Sequence, residues 1–288
     1  MTTTVLKPTV LKSTVLEPTT LEPTPPDAAR TLARHRVAPA RIPMTRIVGV
    51  ELRKMFDTRA GFWLMASILI ASLLATAALI VFGSDDQLTF ENFSTAIGAP
   101  MTVILPMIGI LAVTSEWSQR SGLTTFTLIP HRGRVLGAKF IAALIVGIVA
   151  MLIALGVGSL GTVLGSAITG LDPVWNATVT DFALITLGSV LGMLFGFTLG
   201  VLIRNSAGAI VAYFVYTLVL PPLLGLLALS QQWFADLQPW VDYGFAQTTL
   251  FGGVMTSEQW QQLAVSGTLW FILPLAVGLF LIRRSEVK

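Results

Sequence analysis

Hydrophobic and polar positions divide the chain into a polar arm, one periodic segment and six long apolar runs. The arm, residues 1–43, is Pro- and Thr-rich and carries a five-residue repeat, from Val5-Leu6-Lys7-Pro8-Thr9 to Thr20-Leu21-Glu22-Pro23-Thr24. Pro8, Pro18 and Pro23 recur too often for a helix, and no strand partner is visible. The pattern predicts an extended, solvated cytoplasmic tail. No apolar core precedes Gly61, so the tail does not read as a signal peptide. From Met44 the pattern changes: Met44, Ile47, Val48, Leu52, Met55 and Phe56 recur at spacings of three and four, with Arg46, Arg53, Lys54 and Asp57 between them. This predicts an amphipathic helix over 44–60 with a basic face, suited to the membrane interface.

The apolar runs cover 62–82, 99–115, 140–166, 182–203, 207–229 and 263–282. Each approaches the roughly 20 residues that cross a bilayer core as a helix. The predicted fold is an all-α integral membrane protein with six transmembrane helices, a single domain over 44–288. Pro100 and Pro106 predict a kinked second span, and Pro221-Pro222 a break near the outer end of the fifth. Trp233, Phe234, Trp240, Tyr243, Phe245, Phe251 and Trp260 then crowd the segment before the last span. That is aromatic chemistry suited to short helices lying on or re-entering the outer leaflet.

Composition sharpens the class. Of 288 residues 54% are hydrophobic and 11% charged, and the mean hydropathy is +0.78, which excludes a soluble domain. There is no Cys, and His35 and His131 stand far apart, so neither a disulfide framework nor a thiolate or imidazole metal site is expected. The chain has no GxxxxGK[ST] loop, no HExxH and no GxSxG; no catalytic group, cofactor or metal of its own is expected, and no nucleic-acid partner.

Charge placement gives orientation. With the N-terminus in the cytoplasm, the inner segments 1–61, 116–139, 204–206 and 283–288 hold all 18 Lys and Arg. The outer segments 83–98, 167–181 and 230–262 hold Asp85, Asp86, Glu91, Asp172, Asp181, Asp236, Asp242 and Glu258, and no basic residue. The positive-inside rule therefore places both termini in the cytoplasm of a plasma (inner) membrane protein.

Two further patterns suggest how the helices work. Gly188, Gly192, Gly196 and Gly200 repeat every four residues in the fourth span, a small-residue face for close helix packing. The spans carry no Asp, Glu, Lys or His, which argues against an ion-coupled transporter working alone. The segment 116–139 is the only long internal cytoplasmic loop. It mixes apolar Trp117, Leu123, Phe126 and Leu128 with Arg120, Arg132, Arg134 and Lys139. It joins two spans, so force applied to it reaches both.

Two segments resemble a family. Glu51-Leu52-Arg53-Lys54 leads into the first span, and Ser115, Glu116, Trp117, Gly122, Thr125, Pro130, Arg132, Arg134, Ala138 and Lys139 follow the second. Together they look like the type-2 ABC transporter permeases of drug and polysaccharide export, in their actinobacterial style. The resemblance implies that 116–139 is a coupling loop docking on a separate ATP-binding cassette subunit, which would hold ATP and Mg. Glu116 would anchor its start, with Arg132 and Arg134 pairing with acidic groups of that subunit or lipid phosphates. It also implies a second permease, identical or related, re-entrant helices between the last two spans, and Met44 as a candidate start.

The function expected is the permease subunit of an ATP-driven exporter of a hydrophobic or amphipathic compound, a cargo that a cavity of aliphatic and small residues would suit. The rivals are a self-sufficient secondary transporter or channel, and a membrane assembly protein without transport.

Overall fold

A backbone in hydrocarbon must satisfy its own polar groups, so long apolar runs close into helices. A computed structural model describes residues 42–57, 59–118 and 132–284. All belong to one unit, Ile42–Lys288. The repeat-bearing tail lies outside the described residues, except for Ile42 and Pro43. The helices are α1 (Met44–Asp57), α2 (Arg59–Phe82), α3 (Phe90–Ser118), α4 (Arg132–Thr169), α5 (Val179–Ile203), α6 (Ser206–Phe214), α7 (Leu220–Ser230), α8 (Gln232–Val241), α9 (Tyr243–Thr248), α10 (Ser257–Gly267) and α11 (Leu273–Arg284). No strand occurs among the described residues. Six helical stretches are long and apolar enough to cross a membrane, as a multi-pass membrane protein requires.

Several helices outrun the apolar runs. The second stretch begins at Phe90 rather than near residue 99. Its first backbone N–H groups have partners across the loop: Phe90 donates to the Val174 carbonyl at 3.0 Å and Glu91 to the Asn176 side chain at 3.0 Å. These contacts fill the donors a helix start leaves open. The third begins at Arg132 rather than residue 140, so Arg134 and Lys139 lie inside a helix.

Prolines shape the later spans. Pro106 sits inside α3 and has no N–H for the Thr102 carbonyl one turn back. The Tyr213 hydroxyl of α6 donates to that carbonyl at 2.6 Å instead. Two π-helical turns occur, Val215–Val219 just before Pro221 and Thr268–Ile272 just before Pro274. They are the local adjustments by which transmembrane helices absorb a proline. The break expected at Pro221-Pro222 is not a break: the fifth span, Ser206–Ser230, is one continuous helix that takes up the prolines in its π turn.

α3, α4 and α5 form the centre, with Met101, Leu105, Met193, Phe197 and Val201 buried between them. Leu73 and Leu74 of α2, Leu226 of α7 and Phe280 of α11 are exposed, a surface suited to lipid.

Candidate functional site

Two constructions stand out, one ionic and one a cavity. The ionic one centres on Lys139. Lys139 Nζ donates to Glu51 Oε2 at 2.7 Å and to the Ala112 carbonyl at 3.1 Å. Lys54 Nζ donates to Glu51 Oε1 at 2.8 Å. The Lys139 and Glu51 side chains are 4% and 5% exposed, so this is a desolvated ion pair, of the kind that persists only with good geometry and added hydrogen bonds. Lys139 thus fastens α1, α3 and α4 together next to the segment 116–139. Arg134, one turn earlier in α4, donates to the Ile42 carbonyl. Ile47 and Val48 of α1 pack against Ala138 and Ala142 of α4 around the pair. Arg53 points away and is exposed.

Of the other residues expected to form a coupling loop, Arg120, Gly122, Thr125 and Pro130 lie outside the described residues. So do the side chains of Glu116, Trp117 and Arg132, whose backbones are helical.

The cavity encloses about 400 Å³ among α3, α5, the fifth span and the α8–α9 hairpin. Gly188 and Gly192 of α5 belong to its wall. Gly188 lies against the Phe251 ring and Gly192 against the Gln247 amide, while Gly196 and Gly200 lie against the α3 backbone at Pro106 and Ile110. The four-residue glycine repeat is therefore divided between cavity and helix crossing. The hairpin is pinned to the spans by two bonds, Gln247 Nε2 to the Gly188 carbonyl at 2.7 Å and Trp270 Nε1 to the Val241 carbonyl at 2.6 Å.

Beside small residues, the lining holds aromatic rings and a carboxylate. Asp242 joins α8 to α9, is buried, and lines the cavity. Its carboxylate accepts from Gln238 Nε2 at 3.1 Å and from the Phe245 N–H at 3.2 Å. No ion pair to Asp242 occurs among the described residues. The buried Tyr216 hydroxyl lies beside Gly244, and the Tyr243 hydroxyl has no hydrogen-bond partner among the described residues. Burial pushes the Tyr243 phenol above its ordinary pKa, so it remains a neutral donor. Phe195 stacks on both rings, with centroids 4.5 Å from Tyr216 and 5.7 Å from Tyr243.

Sequence reasoning counted Asp242 as one more outer acid and Lys139 as the end of a loop. One signal did exist: Asp242 is the only charge in the aromatic stretch from Trp240 to Phe251. No group of His, Cys, Asp and Glu suited to a metal ion occurs among the described residues. Comparison of the chain with protein-family models finds no match, and comparison with curated proteins finds none either.

Proposed function

We propose that this chain is the permease subunit of an ATP-driven transporter, taking its energy from a separate ATP-binding cassette subunit through the segment 116–139. The observation that carries the reading is the Lys139 node. Both helices that lead into the segment, α3 and α4, are fastened to α1 by one buried ammonium group. A push on the segment would therefore move three elements as a body. From α3 the movement has a direct route to the cavity, because Pro106 both meets Gly196 of α5 and lines the cavity. On this reading the protein sits in the plasma membrane with both termini inside, pairs with a second permease, and exports a hydrophobic or amphipathic compound. The ATP and Mg sites belong to the partner.

A second reading has its own support. The buried carboxylate of Asp242 is the kind of group that an ion-coupled transporter or channel uses. One purification separates the two. The tagged chain, extracted in mild detergent from the cells that make it, brings down a P-loop ATPase in fixed stoichiometry if it is a permease subunit. A chain that purifies alone and still transports in liposomes is the self-sufficient transporter. A fixed partner without transport or stimulated ATP turnover is the assembly protein.

A further inference from the structure

The buried Asp242 carboxylate lines a cavity walled largely by aromatic and small side chains. Gln238 and the Phe245 N–H hold it by neutral hydrogen bonds, and no basic residue lines the cavity. An ionised carboxylate out of water is costly unless a positive charge joins it. Phe195, Tyr216, Phe245 and Phe251 line the same space, and aromatic faces attract a cation whose hydration has been stripped. The volume of about 400 Å³ falls in the range of roughly 300–1,000 Å³ typical of drug-sized ligands.

A second cavity of about 260 Å³ shares the Phe251 wall and is lined by Glu91 and Asp181. Phe251 thus borders both this acidic cavity and the Asp242 cavity. Segments 83–98, 167–181 and 230–262, which supply these acids, contain no Lys or Arg. A field of one sign at the mouth concentrates ligands of the other.

We propose that the Asp242 cavity binds a lipophilic monovalent organic cation, with Asp242 as its counter-charge and the surrounding rings enclosing its apolar body. This deepens the permease reading by naming the class of cargo, yet it is tested without any ATPase. Saturable binding to the isolated full-length chain would leave the cation site standing even if no ATPase partner were found. An ATPase partner would leave the permease reading standing even if no cation bound.

The probe is tetraphenylphosphonium, measured by equilibrium dialysis against the chain in nanodiscs of zwitterionic lipid, with tetraphenylborate as an anion of the same shape. Saturable binding of the cation is expected, and no saturable binding of the anion dialysed separately. Asp242→Asn preserves the Phe245 cap and should weaken binding by roughly tenfold or more, whereas Asp242→Glu should retain it. Gly225 lines the cavity and has open space where a Cβ would stand, so Gly225→Phe should fill the cavity and remove saturable binding with Asp242 intact. Equal binding of the anion overturns the proposal, as does unchanged affinity in Asp242→Asn. Should Asp242→Asn fail to fold, Gly225→Phe decides: retained saturable binding overturns the proposal, and its loss supports it.

Discussion

An ammonium group out of water survives only when every bond it makes is good. Lys139 meets that condition through Glu51 and the Ala112 carbonyl. Removing one partner of such a pair strands the other, at a cost of about 3–5 kcal/mol. Glu51→Ala and Lys139→Ala should each lower stability by that order in denaturation of the detergent-solubilised protein. The double variant Glu51→Leu/Lys139→Met removes both charges and should recover most of the loss, because an apolar pair carries no desolvation penalty. Additive losses would mean the two charges are independently solvated. The sequence made both residues visible, Glu51 in the Glu51-Leu52-Arg53-Lys54 run and Lys139 among the basic residues of 116–139. Their pairing was not legible, since the partners stand 88 positions apart and no periodicity links them. Asp242 was hidden for a related reason: charge counting assigns a residue to a side of the membrane, whereas burial depends on how the α8–α9 hairpin folds back onto α5.

Helix existence follows from apolar length, and all six long apolar runs became helical stretches able to cross a membrane. Their ends follow from partners that a one-dimensional pattern does not contain, as at Phe90, where a distant loop completes the first turn. The crossing of α3 and α5 depends on Gly196, where an added Cβ would run into the Pro106 backbone. Gly196→Ala should cost about 1–3 kcal/mol through forced separation of the helices. Gly156→Ala in α4, where a Cβ meets nothing, should be neutral or stabilise by up to about 1 kcal/mol. Equal thermal stability of the two variants would show that the crossing is loose. Tyr213→Phe tests the proline repair. It leaves the Thr102 carbonyl open and should cost about 1 kcal/mol, the scale of polar contacts between membrane helices. In a Pro106→Ala background, where a backbone N–H is restored to that carbonyl, the same change should cost less.

At the scale of the whole molecule, orientation decides which face meets a cytoplasmic partner. The chain has no native cysteine, so single cysteines report cleanly. Those at Gln87, Asp172 and Asp236 should react with an impermeant thiol reagent on intact cells, and those at Ser118 and Ser285 should react only after permeabilisation. Reaction of Ser118→Cys from outside would invert the topology and place the segment 116–139 on the outer side, away from any cytoplasmic ATPase. Energy from a cytoplasmic ATPase would have to enter through that segment. ATP turnover of the purified complex in nanodiscs, compared between Glu116→Ala and the outer control Asp86→Ala, tests it most directly. A Glu116 carboxylate desolvated against a partner should cost roughly 2–5 kcal/mol when truncated. ATP turnover should therefore fall at least tenfold in Glu116→Ala, with Asp86→Ala at the wild-type rate and expression equal in both. Full turnover and full ATPase association in Glu116→Ala would make the segment a plain lipid-facing connector and contradict the account.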